Sequence, residues 1–339
     1  MPLLPVPFAI VALLLAAAGI MLAGPRMVRV ADRLADLTGL GEAFVGAVLV
    51  GAATSLPDIL ATVIPAARGL PELAVGNALG GVLGQTAFLA VADLTYRRAN
   101  LEHAAASLPN LVQATLLITL LGGVLALLAA PEHSVLGIHP GSLVLVGTYA
   151  YGLKLVNETS TTPMWHAVET SDTNLDVPEE ATVPAAQQTG LWWSFAGLAV
   201  VLGIAGTTLA VAGESLVVNA GWQQAAVGVF LTGIGSSLAE LVVSIAAIRA
   251  GALTLAVGNV IGGNTFDTLL IVAADVAYRD GPVYAAVGSE AMLVTALALV
   301  ATAVIALGLL RRERHGVGNI GMESVVVLGL YAVAVVAIT

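Results

Sequence analysis

Apolar stretches of about 20 residues follow one another along almost the whole chain, and no other feature constrains the fold as strongly. They lie near 3–24, 42–67, 70–95, 108–130, 135–155, 191–212, 225–248, 252–277, 283–309 and 322–338. A helix rises 1.5 Å per residue, so about 20 apolar residues cross a hydrocarbon layer of roughly 30 Å. The pattern predicts an all-α polytopic membrane protein of about ten transmembrane helices. Composition removes the soluble alternative: 58% of the 339 residues are hydrophobic and 10% charged, where soluble domains are about 25% charged. The 37 glycines suit helices packed in lipid, because small residues let backbones approach closely. A lipid-facing barrel would instead alternate polar and apolar residues. The first run has no basic leader and begins a series, so it reads as a retained helix rather than a signal peptide.

Charge narrows the function classes. A formal charge of −10 with Lys154 as the single lysine excludes a nucleic-acid binder, which needs clustered cations to neutralise phosphates. Without cysteine there is no disulfide, thiolate metal site or cysteine nucleophile. In a ten-span scheme Arg26, Arg29, Arg33, Arg97, Arg98, Lys154, Arg249, Arg311, Arg312 and Arg314 share one side, with Arg68 and Arg279 opposite. Basic residues in short loops stay cytoplasmic, which predicts a multi-pass protein of the cell membrane with both termini extracellular. Residues 157–189 then form an acidic cytoplasmic linker carrying Glu158, Glu169, Asp172, Asp176, Glu179 and Glu180. No alternating-acid calcium loop occurs there. The expected organisation is a first five-helix unit over 1–156, the linker, and a second five-helix unit over 190–339.

An internal repeat supports that division. Residues 45–97 match 227–279 without a gap, with roughly a third of positions identical. Gly51 pairs with Gly233, Ser55 with Ser237 and Leu56 with Leu238; Leu-Ala-Val-Gly-Asn at 73–77 recurs at 255–259, and Asp93 pairs with Asp275. About five spans separate equivalent positions, so the copies enter the membrane from opposite faces as two inverted-topology repeats. Such halves close on a shared site from either side in turn, which is transporter architecture.

Charges inside spans cost from about 2.5 kcal/mol upward, so those present usually face a cavity, a partner or an ion. Asp58 and Glu240 occupy equivalent positions within two spans, and Asp267 is matched by Gln85. Thr54 precedes Asp58 by four residues, as Ser236 precedes Glu240, so each pair shares a helical face. Pro57 and the flanking glycines suggest interrupted helices that free carbonyls of Ala53, Thr54, Gly235 and Ser236. Calcium takes six to eight oxygens, which this set supplies. One calcium leaves one of three carboxylate charges unbalanced, whereas three sodium ions or one calcium and one proton neutralise all three. A bound-ion requirement for alternation favours exchange over leak. An intramembrane hydrolase using Asp58 and Asp267 lacks any supporting H-E-x-x-H or G-x-S-x-G motif. A passive channel would be told apart by single-ion current independent of a counter-ion. Asp93 and Asp275, at span ends beside Tyr96 or Tyr278 and Arg97 or Arg279, read as helix-terminating or interfacial anchors. The five histidines form no metal-spaced cluster.

Gly-x-x-Thr-Ser-Leu-Pro-Asp at 51–58, Gly-x-Gly-Ser-Ser-Leu-Ala-Glu at 233–240, and the Gly-Asn-x-x-Gly blocks that follow resemble the two alpha repeats of the sodium/calcium exchangers of the cation/calcium antiporter superfamily. The resemblance covers both repeats and the ten-span plan. It implies a secondary antiporter, not an enzyme, exchanging calcium for sodium at a mid-membrane site. It implies Asp58 and Glu240 as central ligands, with Gln85, Asp267, Thr54, Ser55, Ser236 and Ser237 around them and carbonyls of Ala53 and Gly235 nearby. The partners implied are calcium, sodium and the lipid bilayer, with no cofactor or obligate protein partner, and the alternative is a proton-coupled or other divalent-cation exchanger on the same scaffold. The sequence departs from the family pattern at Asp58 (usually Glu), Gln85 (usually Asn), Gly81 and Gly263 (usually Ser) and Ala239 (usually Pro). Asp58 and Gln85 are expected to compensate each other sterically, Ala239 to alter the local bend, and the two glycines to bear on the coupling ion.

Overall fold

A computed structural model describes residues 3–38, 55–95, 100–161, 185–250, 253–313 and 321–338, which are predominantly helical and contain no strand. The helices are α1 (Val6–Thr38), α2 (Leu56–Ala67), α3 (Pro71–Thr95), α4 (Leu108–Leu128), α5 (Pro140–Thr161), α6 (Ala185–Ala220), α7 (Gln224–Ser236), α8 (Leu238–Ala250), α9 (Leu253–Ala277), α10 (Ser289–Arg311) and α11 (Met322–Ile338). Among the described residues six helices are long and apolar enough to cross a membrane: α1, α3, α4, α6, α9 and α10. The pair α7 and α8, bent by 46°, passes together as a seventh. α2 and α11 are apolar but shorter, and α5 carries Lys154, Asn157 and Glu158 in its second half.

Local chemistry sets many of the boundaries. Pro57, Pro71, Pro109 and Pro140 stand in the first turns of α2, α3, α4 and α5, where the missing N–H removes no helical bond. Ser107 caps α4 by accepting the Asn110 N–H at 3.3 Å. Gly69 (φ 79°) and Gly221 (φ 69°) turn the chain after α2 and α6, in a conformation that glycine adopts without steric penalty.

Several spans extend beyond their apolar runs. α1 continues through Thr38 rather than ending near 24, although Pro25 lies inside it. Arg26 and Arg29 fold back onto the carbonyls of Leu22 and Pro25, so the helix runs on past its apolar part. α6 likewise exceeds 191–212, and α5 starts and ends later than 135–155. The run expected over 225–248 is broken at Ser237. Of the run expected over 42–67, only Ser55 onward lies within the described residues, and most of the 157–189 linker lies outside them.

α3 is almost wholly enclosed, at the centre of a core shared with α4, α9 and α10. α1 and α6 pack against each other at one side through Ile20, Met27, Leu202 and Leu209, reaching Ala61 and Ala239. Glycines bring α7 onto α3: a Cβ on Gly80 would fall 2.4 Å from the Cα of Val229, and one on Gly233 2.8 Å from the N of Gly81. Backbone touches backbone there, and the facing stretch Val227–Thr232 is wound as a π-helix, a local irregularity often found at functional sites.

The packing repeats at the same 182-residue offset as the sequence. A Cβ on Gly24 would lie 2.2 Å from the Cβ of Ala239, and one on Gly206 2.6 Å from the Cα of Pro57. Asp93 accepts the N–H groups of Leu101 (2.8 Å) and Gly321 (3.1 Å) and the hydroxyl of Ser324 (3.0 Å). Asp275 accepts the N–H groups of Val283 (2.9 Å) and His139 (2.8 Å) and the hydroxyl of Ser142 (2.7 Å). Each partner is the repeat equivalent of the other, so the duplication extends well beyond 97 and 279. Both aspartates are fully buried. The expectation of interfacial anchors is therefore corrected: they tie the ends of α3 and α9 to the starts of α11 and α5.

Candidate ion-binding site

Asp58 and Glu240 are both the third residue of a helix, in the first turns of α2 and α8. The positive end of a helix dipole favours a carboxylate there. Ser55 precedes α2 without capping it through its side chain, and Ser237 stands between α7 and α8. Asn77 of α3 holds α2 by donating to Thr62 Oγ1 at 2.9 Å and to the carbonyl of Asp58 at 3.4 Å. The sequence shows Asn77 in a repeated Gly-Asn pair, but only the fold reveals its partner.

Around these turns the polar groups of both halves meet. Ser236 donates to Asp58 Oδ1 at 2.5 Å, and its oxygen also lies 2.8 Å from the Thr232 carbonyl. Ser237 donates to the same Oδ1 at 3.4 Å and accepts from Gln85 Nε2 at 3.1 Å. Gln85 Nε2 also donates to Asp267 Oδ2 at 2.8 Å. Asp58 and Asp267 are thus joined through one hydroxyl and one amide. Glu240 is close enough to both to feel their charge. Among the described residues, no three acidic side chains crowd about one point.

What distinguishes this cluster is its excess of acceptors. Among the described residues, Asp58 Oδ2, Asp267 Oδ1, Glu240 Oε2 and Gln85 Oε1 are buried without a hydrogen-bond partner. Leaving such an atom unpaired costs about 1–3 kcal/mol, more when it is charged. The ion pairs among the described residues, Arg68–Glu214, Lys154–Glu158 and Arg311–Glu313, do not involve the cluster. Oxygen acceptors with no donor, in a hard ligand set without sulfur, suit a hard cation such as calcium or sodium.

Of the ten expected ligands, Asp58, Gln85, Ser236, Ser237 and Asp267 are joined by hydrogen bonds. Ser55 is buried at the start of α2. Gly235 lies in the last turn of α7, where a Cβ would face Leu209 of α6 at 3.3 Å. Ala53 and Thr54 fall outside the described residues. Position 81 is central: a Cβ there would lie 3.2 Å from Ser237 Oγ, 3.7 Å from Asp58 Oδ1 and 3.9 Å from Asp267 Oδ2. At position 263 a Cβ would lie 3.3 Å from Gln85 Oε1. A methyl at 263 would press on the end of the long Gln85 side chain, so glycine there leaves it room across the two halves. Asp58 and Gln85, expected to compensate each other, meet on the Ser237 hydroxyl. Ala239, in place of proline, accompanies a bend of 46° and admits Gly24 of α1.

A family profile described as "Sodium/calcium exchanger protein" matches residues 8–155 and 190–339. The chain belongs to this family. Proteins of the sodium/calcium exchanger family are membrane ion transporters rather than enzymes. The chain is 30% identical over 305 residues to the putative antiporter CaxA of Alkalimonas amylolytica, covering 85% of this chain and 86% of that protein. It is 24% identical over 261 residues to the inner membrane protein YrbG of Escherichia coli, covering 76% of each. Among solved structures it resembles the sodium-calcium exchanger NCX_Mj (TM-score 0.64, 16% identity, 98% and 100% coverage). It also resembles the H+/Ca2+ exchanger CAX (TM-score 0.65, 14% identity, 97% and 81% coverage). At such identities these last two likenesses concern the exchanger-family fold alone.

Proposed function

We propose that this protein is a secondary antiporter that exchanges calcium for sodium across the cell membrane, by alternating access at the site formed by Asp58, Glu240 and Asp267. The observation that carries this reading is the set of four buried, unpartnered oxygens on those carboxylates and Gln85. Three carboxylates without counter-charge are costly to bury in a membrane interior, and cations offset that cost. Movement between the two access states then proceeds mainly with ions bound, which couples the fluxes. Ser236, Ser237 and Ser55 complete the ligand set, with Thr54 and carbonyls of Ala53 and Gly235.

On this reading α7 and α8 are one broken span, and two inverted five-helix units, 1–156 and 190–339, flank a cytoplasmic linker over 157–189. The shared offset of the glycine and aspartate contacts supports two units, as does a family match in two stretches. Both termini face outside. A second reading, proton coupling on the same scaffold, is favoured by Gly81 and Gly263, which leave two hydroxyls out of the site.

Calcium uptake into proteoliposomes tests these readings. Uptake that requires internal sodium, and that Glu240→Gln abolishes, supports sodium/calcium exchange at this site. Uptake driven by a pH gradient alone transfers the coupling to protons. Undiminished uptake in Glu240→Gln rejects the site.

A further inference from the structure

A second acidic pair lies apart from the central site, at the end of the molecule where α3 and α10 finish. Glu102 sits in the helical turn Leu101–Ala104 between α3 and α4, and Glu323 in the first turn of α11. They are 3% and 7% exposed. Among the described residues, neither carboxylate oxygen of Glu102, both buried, has a hydrogen-bond partner. Neighbouring Asp93 differs, since its oxygens are held by three donors.

Two glycines let the glutamates converge. A Cβ on Gly321 would lie 3.0 Å from Glu323 Oε2 and 3.2 Å from Glu102 Oε2. One on Gly308 of α10 would lie 2.6 Å from Glu323 Cγ and 3.1 Å from Glu102 Cγ. Arg312 directs its guanidinium at the carbonyl of His103, 3.3 Å from Nη2. Burial and the charges of Asp93 and Glu323 push Glu102 up to about 7, against the opposing pull of its own backbone N–H and the nearby Ser324 hydroxyl.

The other half shows that the scaffold does not require these acids. At the 182-residue offset, Tyr284 replaces Glu102 and Gly141 replaces Glu323, and the Tyr284 hydroxyl pairs with Ser142 Oγ at 2.9 Å. The aspartate tie is the same in both halves, but only one adds an unpartnered carboxylate.

We propose that Glu102 and Glu323 form a second divalent-cation site, distinct from the transport site, whose ion bridges the α3–α4 link to α11. One divalent ion offsets the charges of Glu102 and Glu323, while the adjacent Asp93 carboxylate is held by its own three donors. Calcium accepts bidentate carboxylates, which supply up to four of its six to eight oxygens, with carbonyls and water supplying the rest. The bridge fastens the end of α3, the helix that carries Gln85.

Equilibrium binding of radioactive calcium to the full chain in lipid nanodiscs tests this proposal. Glu240→Gln is expected to retain calcium binding, and adding Glu102→Gln and Glu323→Gln to abolish what remains. Gly321→Ala, which keeps both acids but fills the space between them, is expected to weaken that residual binding roughly tenfold. Calcium binding by the Glu240→Gln chain no greater than by the triple variant would overturn the proposal. Failure of the central-site assignment reads differently: Glu240→Gln would bind as wild type does, while Glu102→Gln with Glu323→Gln would still lower the stoichiometry.

Discussion

The two repeat-related halves share a skeleton and differ in what it carries. Asp93 and Asp275 make the same three bonds at a fixed offset, and Gly24 and Gly206 press on equivalent helix starts. At the candidate ion site the first half contributes a carboxylate and an amide, Asp58 and Gln85, whereas the second contributes two carboxylates, Glu240 and Asp267. Around the aspartate ties, one half adds two glutamates and the other a tyrosine and a glycine. The aspartate ties and the close glycine contacts at the helix starts are thus common to the halves, and the polar side chains around them have diverged. On the proposed reading, symmetric scaffolding would preserve two alternative closures of one site, while ion preference would depend on the atoms at its centre.

Substitutions at the half-sites are the strongest way to break that comparison. Asp267→Asn is expected to lower calcium uptake by on the order of a hundredfold, and Gln85→Ala roughly tenfold, because one removes a charge and the other a neutral ligand. Equal losses, measured as initial uptake rates in proteoliposomes, would show that the halves contribute alike.

The aspartate ties come next. Asp275→Asn is expected to destabilise the fold by about 2–4 kcal/mol, since a buried donor loses its acceptor. Asp93→Asn is expected to cost about 1 kcal/mol less, as it also relieves repulsion with Glu102. Thermal unfolding of both variants in nanodiscs, compared with wild type, checks the order.

A smaller effect separates the two glycine contacts. Gly24→Ala and Gly206→Ala should each destabilise by about 1–3 kcal/mol through overpacking. Ala239→Gly is expected to rescue most of the first, because the main obstacle is its Cβ at 2.2 Å and its Cα lies at 3.1 Å. No side-chain change at Pro57 should rescue the second, because its Cα and carbonyl oxygen obstruct at 2.6 and 2.8 Å. Unfolding midpoints of the single and double variants decide the point.

The smallest effect concerns pH. With Glu102 raised from 4.5 to about 7 in the folded chain, the folded state holds the extra proton between those values. Stability therefore falls as pH rises through that window. In calcium-free buffer Glu102→Gln is expected to flatten this dependence and to melt a few degrees higher than wild type at pH 8, with no difference at pH 4. Unfolding curves at the two pH values measure it.

The membrane-spanning character, most spans and the repeated carboxylate motifs were legible in the sequence because each is a local property. Hydropathy is a sum over a window, and the spacing from Ser236 to Glu240 lies on one chain segment. Helix ends were less legible, because α1 continues past Pro25 for reasons that hydropathy does not encode. The meeting of Gln85 with Ser237 and Asp267, the room that Gly263 gives Gln85, the burial of Asp93 and Asp275, and the convergence of Glu102 with Glu323 were decided by tertiary structure. These partners stand far apart along the chain, and no local pattern records a contact created when two helices pack backbone to backbone through glycine.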